Sequence, residues 1–231
     1  GLEEFHEAIG TLIVIISGVH AAAALMHHYI KRDDVLRRML PALVFLLPLF
    51  PAPAAAAPAN WYVKQRESSI AFTAKQMGAD VEGRFGLFTA SIVFDPDNLK
   101  ASRALVDIDT GTIDTKSADR DETLRGKEWF DVAQFPIARF ETVTFRKTGE
   151  GYEADANLTI RNKTVSVTLP FTLTISQIES EKDSLAVMDG KVILDRSKFD
   201  LGGGTWRDTS VIANDVTVKI HLVARTSLPK S

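Results

Sequence analysis

Apolar and polar side chains alternate at every second position through most of the chain after residue 60. This period of two is typical of a β-strand with one apolar face and one solvated face, whereas an amphipathic helix repeats about every 3.6 residues. The longest such run extends from residue 165 to residue 175. Its apolar members are Val165, Val167, Leu169, Phe171, Leu173 and Ile175, and Ser166, Thr168, Pro170, Thr172 and Thr174 lie between them. The chain after residue 60 is therefore predicted to be all-β.

Shorter runs of the same kind are separated by sequences that favour turns. Apolar positions alternate from Ile70 to Ala74, from Tyr152 to Ile160 and from Val216 to Leu222, and further short runs contain Ile92, Phe94, Val106, Ile108 and Phe140. The turn sequences are Asp95-Pro96-Asp97-Asn98, Gly149-Glu150-Gly151 and Asn162-Lys163. The segment Arg161-Asn162-Lys163 predicts a tight hairpin in which Asn162 adopts a positive φ, because Asn tolerates that conformation.

A single stretch, Ala118 to Trp129, is predicted to be helical, with Asp121 and Arg125 at the i,i+4 spacing of an ion pair. Without a second helical layer, many antiparallel strands must close on themselves or stack as two sheets. We therefore expect an antiparallel β-barrel of about eight strands over residues 60–226 with one short helix, followed by a tail at 227–231. A barrel of this size is either filled by side chains or holds one ligand, and alternation alone leaves both open.

Residues 1–39 differ sharply from the barrel in composition. The stretch from Ala8 to Ile30 is apolar or small apart from its histidines, and its length of about 20 residues matches a transmembrane helix. Acidic residues precede it, and basic residues follow at positions 31–38. Because basic flanks stay in the cytoplasm, this helix is predicted to run from outside to inside. The chain begins with Gly1 rather than Met, so we expect a partial or processed product.

Two histidines in this segment have the spacing of haem ligands. His6 and His20 lie fourteen residues apart, on nearly the same face of a helix. Histidines in membrane helices are costly and often functional, and the alternative role is interhelical hydrogen bonding. The runs "GVHAAAALMHH" and "RDDVLRRMLP" within residues 1–41 resemble the last helix of small bacterial di-haem cytochromes b of the b-561 type, which exchange electrons with quinones. The resemblance implies that His6 and His20 each ligate a haem b, but only together with further cytochrome helices, so that a cytochrome b domain is a partner.

A second apolar segment occupies residues 40–59. An apolar run from Leu40 to Phe50 follows two arginines and precedes "PAPAAAAPAN", which is the order of a secretory signal with cleavage after Ala56 or Ala59. The alternative is a membrane anchor, which the prolines disfavour because each interior proline costs a helix about 3 kcal/mol. Either way the chain crosses outward. We therefore expect a periplasmic barrel with its N-terminal segment in the inner membrane.

Longer motifs in the barrel region carry a second resemblance. The segments "RDETLRGKEWFDVAQFP", "ANLTIRNKTVSVTLPFTL" and "LDRSKFDLGG" resemble successive blocks of the YceI family, and the likeness extends over residues 60–226. It implies an elongated, lipocalin-like barrel that encloses a polyisoprenoid chain, such as a prenyl quinone or a prenyl phosphate. The chain departs from the family pattern at Asn162, at Trp129-Phe130 and in the glycine-rich "GGGTW" at residues 202–206.

The alternation and the resemblance together give a candidate binding site. The residues expected to line the cavity are Ile70, Phe72, Ile92, Phe94, Val106, Ile108, Trp129, Phe130, Phe140, Leu158, Val167, Leu169, Phe171, Leu173, Val218 and Ile220. Trp129 and Phe130 either line the barrel mouth or pack the helix on the barrel. Arg120 is the candidate for a polar head group, and its alternative is an ion pair with a neighbouring carboxylate. Arg161 and Arg196 are expected to be structural ion-pair partners.

Several function classes are not expected for the barrel. The formal net charge of −3 gives no basis for a nucleic-acid partner. The absence of cysteine excludes disulfides, thiol nucleophiles and cysteine-ligated metals. His221 is the single histidine after residue 60 and lies on the polar side of its strand, so neither a zinc site nor a Ser-His-Asp site is expected. We therefore expect neither enzymatic activity nor a cofactor in the barrel.

Three functions fit these observations. The first is binding or transport of a long polyisoprenoid near the membrane. The second is electron transfer, with the barrel fused to a quinone-linked cytochrome b. The third is a structural or stress-related barrel with a filled core. The sequence predicts no particular oligomeric state.

Overall fold

The computed structural model describes residues 13, 15–20, 22–23, 26, 59–149, 151–178 and 183–226. The chain divides into two compact units, residues 1–56 and 57–231. In the first unit, the residues that are described are helical and exposed. Over the described residues, no helix reaches the length and hydropathy that a membrane crossing requires. Most of the predicted membrane helix lies outside the described residues, as do positions 40–58 of the signal-like segment and the tail at 227–231.

The second unit consists almost entirely of antiparallel β-strands. In the described part of this unit they are β1 (Ala59–Val63), β2 (Ser69–Gln76), β3 (Ala79–Phe85), β4 (Phe88–Phe94), β5 (Arg103–Asp109), β6 (Ile113–Asp114), β7 (Ile137–Lys147), β8 (Tyr152–Ile160), β9 (Lys163–Ile178), β10 (Asp183–Asp195) and β11 (Ile212–Arg225). The α-helix α1 spans Ala118–Arg125, and short 3-10 helices span Gln65–Glu67, Leu99–Ala101, Thr110–Thr112, Arg196–Phe199 and Gly204–Arg207.

Eight of these strands close into a barrel. They are hydrogen-bonded in the order β1-β4-β5-β7-β8-β9-β10-β11, and β1 pairs back to β11 through Tyr62 with Arg225 and Val63 with Ala224. The strands β2, β3 and β6 extend the same sheet from the other part of β11. The prediction of an antiparallel barrel of about eight strands with one short helix is therefore confirmed.

The predicted register of β9 agrees with the structure. Leu169 and Phe171 are buried, whereas Thr168 and Thr172 are exposed. A slip of one residue would have reversed these positions, because side chains alternate strictly along a strand. The apolar face is shorter than the sequence suggested: Ile175 is 38% exposed, because β9 continues past its last cavity-lining residue, Leu173.

A β-bulge changes the alternation within β7. The pairing of β7 with β8 shifts between Thr142 and Thr144, and Val143 is 68% exposed. A bulge places two residues of one strand opposite a single residue of its partner. Phe140 and Thr142 therefore face inward before the bulge, and Phe145 faces inward after it.

The hairpin between β8 and β9 differs from the prediction in one detail. It has the expected two-residue turn, since Ile160 pairs with Lys163, but Arg161 rather than Asn162 has the positive φ, at 55°. The side chain of Arg161 makes two contacts from this turn. Its guanidinium donates to the backbone oxygen of Asp200 at 2.9 Å and lies over the ring of Phe135. Among the described residues, Arg161 is therefore held by a carbonyl and an aromatic ring and not by the ion pair that we expected. In the predicted turn at 149–151, Glu150 lies outside the described residues.

The helix α1 is shorter than predicted, because it ends at Arg125 instead of Trp129. Gly126 follows, and the chain then turns so that Trp129 and Phe130 enter the barrel. Glycine is a poor helix former, which favours an end at this point.

The predicted ion pair between Asp121 and Arg125 is absent from the described structure. The carboxylate of Asp121 accepts hydrogen bonds from the backbone and hydroxyl of Thr115, at 2.8 and 2.6 Å. Arg125 donates to the backbone oxygens of Gly111 and Ile113, at 2.8 and 2.9 Å. Both side chains therefore fix α1 to residues 111–115, the segment that contains β6.

Candidate functional site

The barrel is hollow and encloses a cavity of about 510 Å³. This volume lies within the usual range of small-molecule sites. All of the apolar residues that the sequence analysis placed on the lining do line this one cavity. Their backbones alternate between the two faces of each strand, so every second residue contributes its side chain to the interior. A filled core, which alternation alone had left open, is not what this barrel contains.

The cavity runs along the strands. On β11 its lining extends from Ile212 to Ala224, which corresponds to roughly 40 Å of strand at about 3.3 Å per residue. Strands of a closed barrel tilt against its axis, so the axial length is shorter than this. The cavity is therefore elongated, and its two ends are built from different residues.

One end lies beneath α1 and carries most of the polar residues of the lining. Ser117, Asp119, Arg120 and Thr123 contribute to the cavity wall, and Asp119 and Thr123 are exposed to solvent. Gln76, at the end of β2, joins them. We name this polar, solvent-accessible end the mouth.

Arg120 lies at the mouth and is half-buried. Its Nε donates to the hydroxyl of Thr115 at 2.9 Å, and its Nη2 donates to the backbone oxygen of Thr115 at 3.1 Å. It forms no ion pair with any residue that the structure describes, so the alternative of a carboxylate partner is not realised. Its Nη1 has no protein acceptor within the same residues and remains available to an oxygen atom of a ligand.

Trp129 and Phe130 combine the two roles that the sequence left open. Both are buried and both line the cavity, directly after the helix at its mouth. Phe130 packs edge-to-face on Phe85 with ring centroids 5.7 Å apart, and Trp129 contacts the ring of Trp206 at 6.0 Å. They therefore pack the segment after α1 onto the barrel and form part of the lining.

Arg196 is almost completely buried and organises the loops beside Trp129. The acceptors of its guanidinium are the backbone oxygens of Ala213, Leu201, Gly202, Trp206 and Ile212, at 2.7 to 3.4 Å. Burial lowers the pKa of this guanidinium from its ordinary value, although an arginine of this kind stays charged. Arg196 has no ion-pair partner among the described residues, so that expectation was wrong: carbonyl oxygens of the loop between β10 and β11 and of the first two residues of β11 surround the cation.

The glycine-rich segment at 202–206 belongs to this arrangement. Gly202 has a φ of +81°, and a Cβ at this position would lie 2.2 Å from Nη1 of Arg196. A residue with a side chain would displace the buried guanidinium. The glycine at position 202 therefore has a local structural reason at the cavity end near Trp129.

The opposite end of the cavity is aromatic. Trp61, Phe94, Phe145 and Phe171 line it, and Tyr152 packs behind them. Except for Tyr152, which is half-buried, these rings are buried. We name this end, with its five aromatic residues, the aromatic end.

Sequence reasoning missed part of the lining. It assigned no strand to β10, although Ala186, Met188, Val192 and Leu194 line the cavity at every second position. Their alternation was a usable signal, obscured because Val187 and Ile193 are also apolar. Phe145 was missed because the bulge in β7 shifts the inward-facing positions from even-numbered to odd-numbered residues before it. Contributions from loops, such as Phe199, Leu201 and Trp206, have no periodic signal at all.

Outside the cavity, His221 lies on the outer surface of β11 as predicted. Its Nδ1 is 2.7 Å from the carboxylate of Asp189 on β10. Of the two predicted haem ligands, His6 lies outside the described residues, and His20 is helical and exposed. The cytochrome resemblance and the electron-transfer hypothesis rest on residues 1–41 and stay predictions.

Comparison with known proteins gives a consistent result over the barrel. A sequence model of the YceI-like domain matches residues 61–224. A protein of Yersinia pestis named "UPF0312 protein" is 42% identical over 106 residues, which are 46% of this chain and 55% of that protein. The chain thus spans about half the length of the curated relatives it matches.

Solved structures share the fold. The crystal structure of BcnA from Burkholderia cenocepacia has a TM-score of 0.64 and 32% sequence identity, and the match covers 70% of this chain and 99% of BcnA. A polyisoprenoid binding domain from Saccharophagus degradans, implicated in plant cell wall breakdown, has a TM-score of 0.53 and 15% identity, with 72% and 98% of the two chains covered. At that identity, the second likeness shows the fold alone.

Proposed function

This chain belongs to the YceI-like domain family, and on that premise we propose that its barrel binds a long-chain polyisoprenoid within the cavity. The observation that carries the proposal is the distribution of polarity along the cavity. Apolar side chains line it from the aromatic end to the mouth, and polar groups are concentrated at the mouth. A molecule with a long apolar chain and one polar end matches this distribution. The polyisoprenoid-binding domain of similar fold supports the same ligand class.

Burial of the chain supplies the affinity in this proposal. Each 100 Å² of apolar ligand surface removed from water contributes about 2.5 kcal/mol before the costs of association. This contribution is non-directional, so the lining needs no hydrogen-bonding pattern to hold the tail. Orientation then depends on the mouth, where the ligand's polar end stays near solvent.

The ligand in this proposal is a prenyl quinone or a prenyl phosphate, and its head group is the quinone ring or the phosphate. Both present oxygen acceptors, and Arg120 has an unused guanidinium N–H at the mouth. Ser117 and Thr123 add hydroxyl groups to the same part of the wall. Arginine suits phosphate and carbonyl oxygens because it presents several N–H donors in a planar array.

The location in this proposal is the periplasm, close to the inner membrane. The support comes from sequence reasoning: the basic residues at 31–38 favour a cytoplasmic position for the end of the preceding apolar helix, and the next segment would then cross outward. A carrier at this surface would shield an isoprenoid from water between membrane-bound partners.

A paired substitution tests the site. Phe171→Asp places an unpaired carboxylate in the apolar lining, whereas Thr174→Asp places the same group on the exposed face of the same strand. After lipid extraction and refolding, we expect Phe171→Asp to lose retention of a prenyl lipid and Thr174→Asp to keep it. A prenyl-free quinone head group should bind weakly to both.

The outcome does not depend on one variant. Should Phe171→Asp fail to fold, Ile220→Asp introduces the charge from β11, at another point of the lining. Full lipid retention by a folded Phe171→Asp or Ile220→Asp variant would contradict binding inside the barrel.

A further inference from the structure

Five aromatic residues pack against one another at the aromatic end. Phe94 is the centre of the group: its ring centroid lies 5.2 Å from Phe145, 5.5 Å from Tyr152 and 6.3 Å from Phe171. Most of these contacts are edge-to-face, and Tyr152 stacks on Phe171 at 5.5 Å. Aromatic pairs in such geometries attract each other beyond the burial of their area. The rings therefore form one connected unit.

This unit is anchored to the barrel wall. The indole N–H of Trp61 donates to the backbone oxygen of Phe94 at 3.0 Å, which links β1 to the end of β4. The small residues Ala154, Ala186 and Ala224 fill the remaining positions around the rings and are buried. Close-packed interiors of this kind leave few voids and resist insertion of additional groups.

The aromatic end and the mouth lie at opposite ends of the same strands. On β8, Ile160 belongs to the apolar cluster beneath α1, whereas Ala154 and Tyr152 belong to the aromatic end. On β9, Val165 belongs to the first cluster and Phe171 to the second, and six residues of strand correspond to about 20 Å. A chain that enters at the mouth therefore meets the aromatic rings last.

We propose that the aromatic end sets the maximum length of the isoprenoid chain, with Phe145 and Phe171 as its end stop. This inference rests on the function proposed above. Along the tube, each further isoprene unit gains affinity because it removes more apolar surface from water. Once the chain end reaches the rings, a further unit must displace packed aromatic side chains or remain in water at the mouth. Affinity should therefore rise with chain length and reach its maximum at a defined length, beyond which further units add nothing.

Phe145 and Phe171 are the residues to change, because both line the cavity and contact the centre of the aromatic group. Replacing either with Ala removes a phenyl ring, which has about as many carbons as one isoprene unit. The control is Phe72→Ala. Phe72 lines the cavity as well, but it packs on Phe85 in the cluster beneath α1, away from the aromatic end. Ala186→Leu is the converse change, because it adds atoms at the aromatic end.

The experiment titrates the delipidated full chain with a series of polyprenols that differ by one isoprene unit. We expect the chain length of maximum affinity to increase by about one unit in Phe145→Ala and Phe171→Ala, and to decrease in Ala186→Leu. Phe72→Ala should weaken binding several-fold at all lengths without moving the maximum. Should an alanine variant fail to fold, Phe171→Leu is the substitute. It frees less volume than Phe171→Ala, so the preferred chain length should shift in the same direction by a smaller amount.

Two results would overturn the inference in distinguishable ways. An unchanged maximum in folded variants of both phenylalanines would refute the end stop, while the wild type's affinity for polyprenols would leave the proposed function standing. Failure of the delipidated wild type to bind a polyprenol of any length would refute the proposed function and this inference with it.

Discussion

The guanidinium of Arg196 lies over the indole of Trp129, with its Cζ 5.5 Å from the ring centroid. Five backbone oxygens hold the cation in this position, and Trp129 lines the cavity. A cation above an aromatic face gains energy from the ring quadrupole, more so when both are removed from water. A buried arginine therefore supports one wall of the cavity.

Arg196→Lys should destabilise the protein. Lysine keeps the charge, but its ammonium group has three donors and cannot reproduce the planar array, so several buried carbonyl oxygens lose their partner. We expect the free energy of unfolding to fall by about 2 kcal/mol or more, since each unsatisfied buried group costs about 1–3 kcal/mol. Urea denaturation measures this, with Arg207→Lys, at an exposed position of the same region, as the matched control. Equal unfolding midpoints for the two variants would contradict the role given to Arg196.

Gly83→Ala should reduce the cavity. A Cβ at this position would lie 2.3 to 2.9 Å from ring atoms of Phe72, which must then move within the barrel. Overpacking of this kind typically costs about 1–3 kcal/mol. We expect lower stability together with a lower capacity for prenyl lipid. Gly149→Ala is the control, because a Cβ there meets no atom within 4 Å. If both variants bind lipid like the wild type, Phe72 does not shape the cavity as described.

Stability should fall in acid through Asp114. The side chain and backbone N–H of Lys116 donate to its carboxylate, at 2.7 and 3.0 Å, and lower the pKa of Asp114 from 3.8 to about 2. A carboxyl whose pKa is lower in the folded state contributes stability that is complete above its ordinary pKa and is lost as the pH falls toward the folded value. We therefore expect Asp114→Asn to have a lower urea midpoint than the wild type at about pH 5 and a shrinking difference as the pH approaches 2. Asp97→Asn, which removes a carboxylate without an ion pair among the described residues, is the control. A difference that grows toward acid would contradict this assignment.

Alternation predicted the barrel wall well, since burial of one face fixes which residues of a strand point inward. Leu158, Leu169 and Ile220 were placed on the lining from the sequence and lie there. One feature breaks the rule for a physical reason. The bulge at Val143 adds one residue to β7, so Phe145 faces inward at an odd-numbered position, whereas Phe140 and Thr142 face inward at even-numbered ones.

The loops were less predictable than the strands, because their conformations depend on contacts distant in sequence. Arg161 has a positive φ and contacts Asp200 and Phe135, and Arg196 finds its acceptors on the loop before β11 and on the first two residues of β11. Neither contact leaves a periodic trace in the sequence. At the mouth, Arg120 was named in advance as the head-group candidate, whereas Ser117, Asp119, Thr123 and Gln76 were not.

The most direct test of the account is the chemical identity of what the purified chain carries. The native protein is extracted with organic solvent, and the extract is analysed by mass spectrometry beside an extract of the Phe171→Asp variant prepared in the same way. We expect a prenyl lipid with a narrow distribution of chain lengths in the wild-type extract, in near-equimolar amount to protein, and its loss from the variant. A folded wild-type protein that carries no prenyl lipid, or the same mixture of membrane lipids as the variant, would contradict the proposal that this barrel holds a polyisoprenoid.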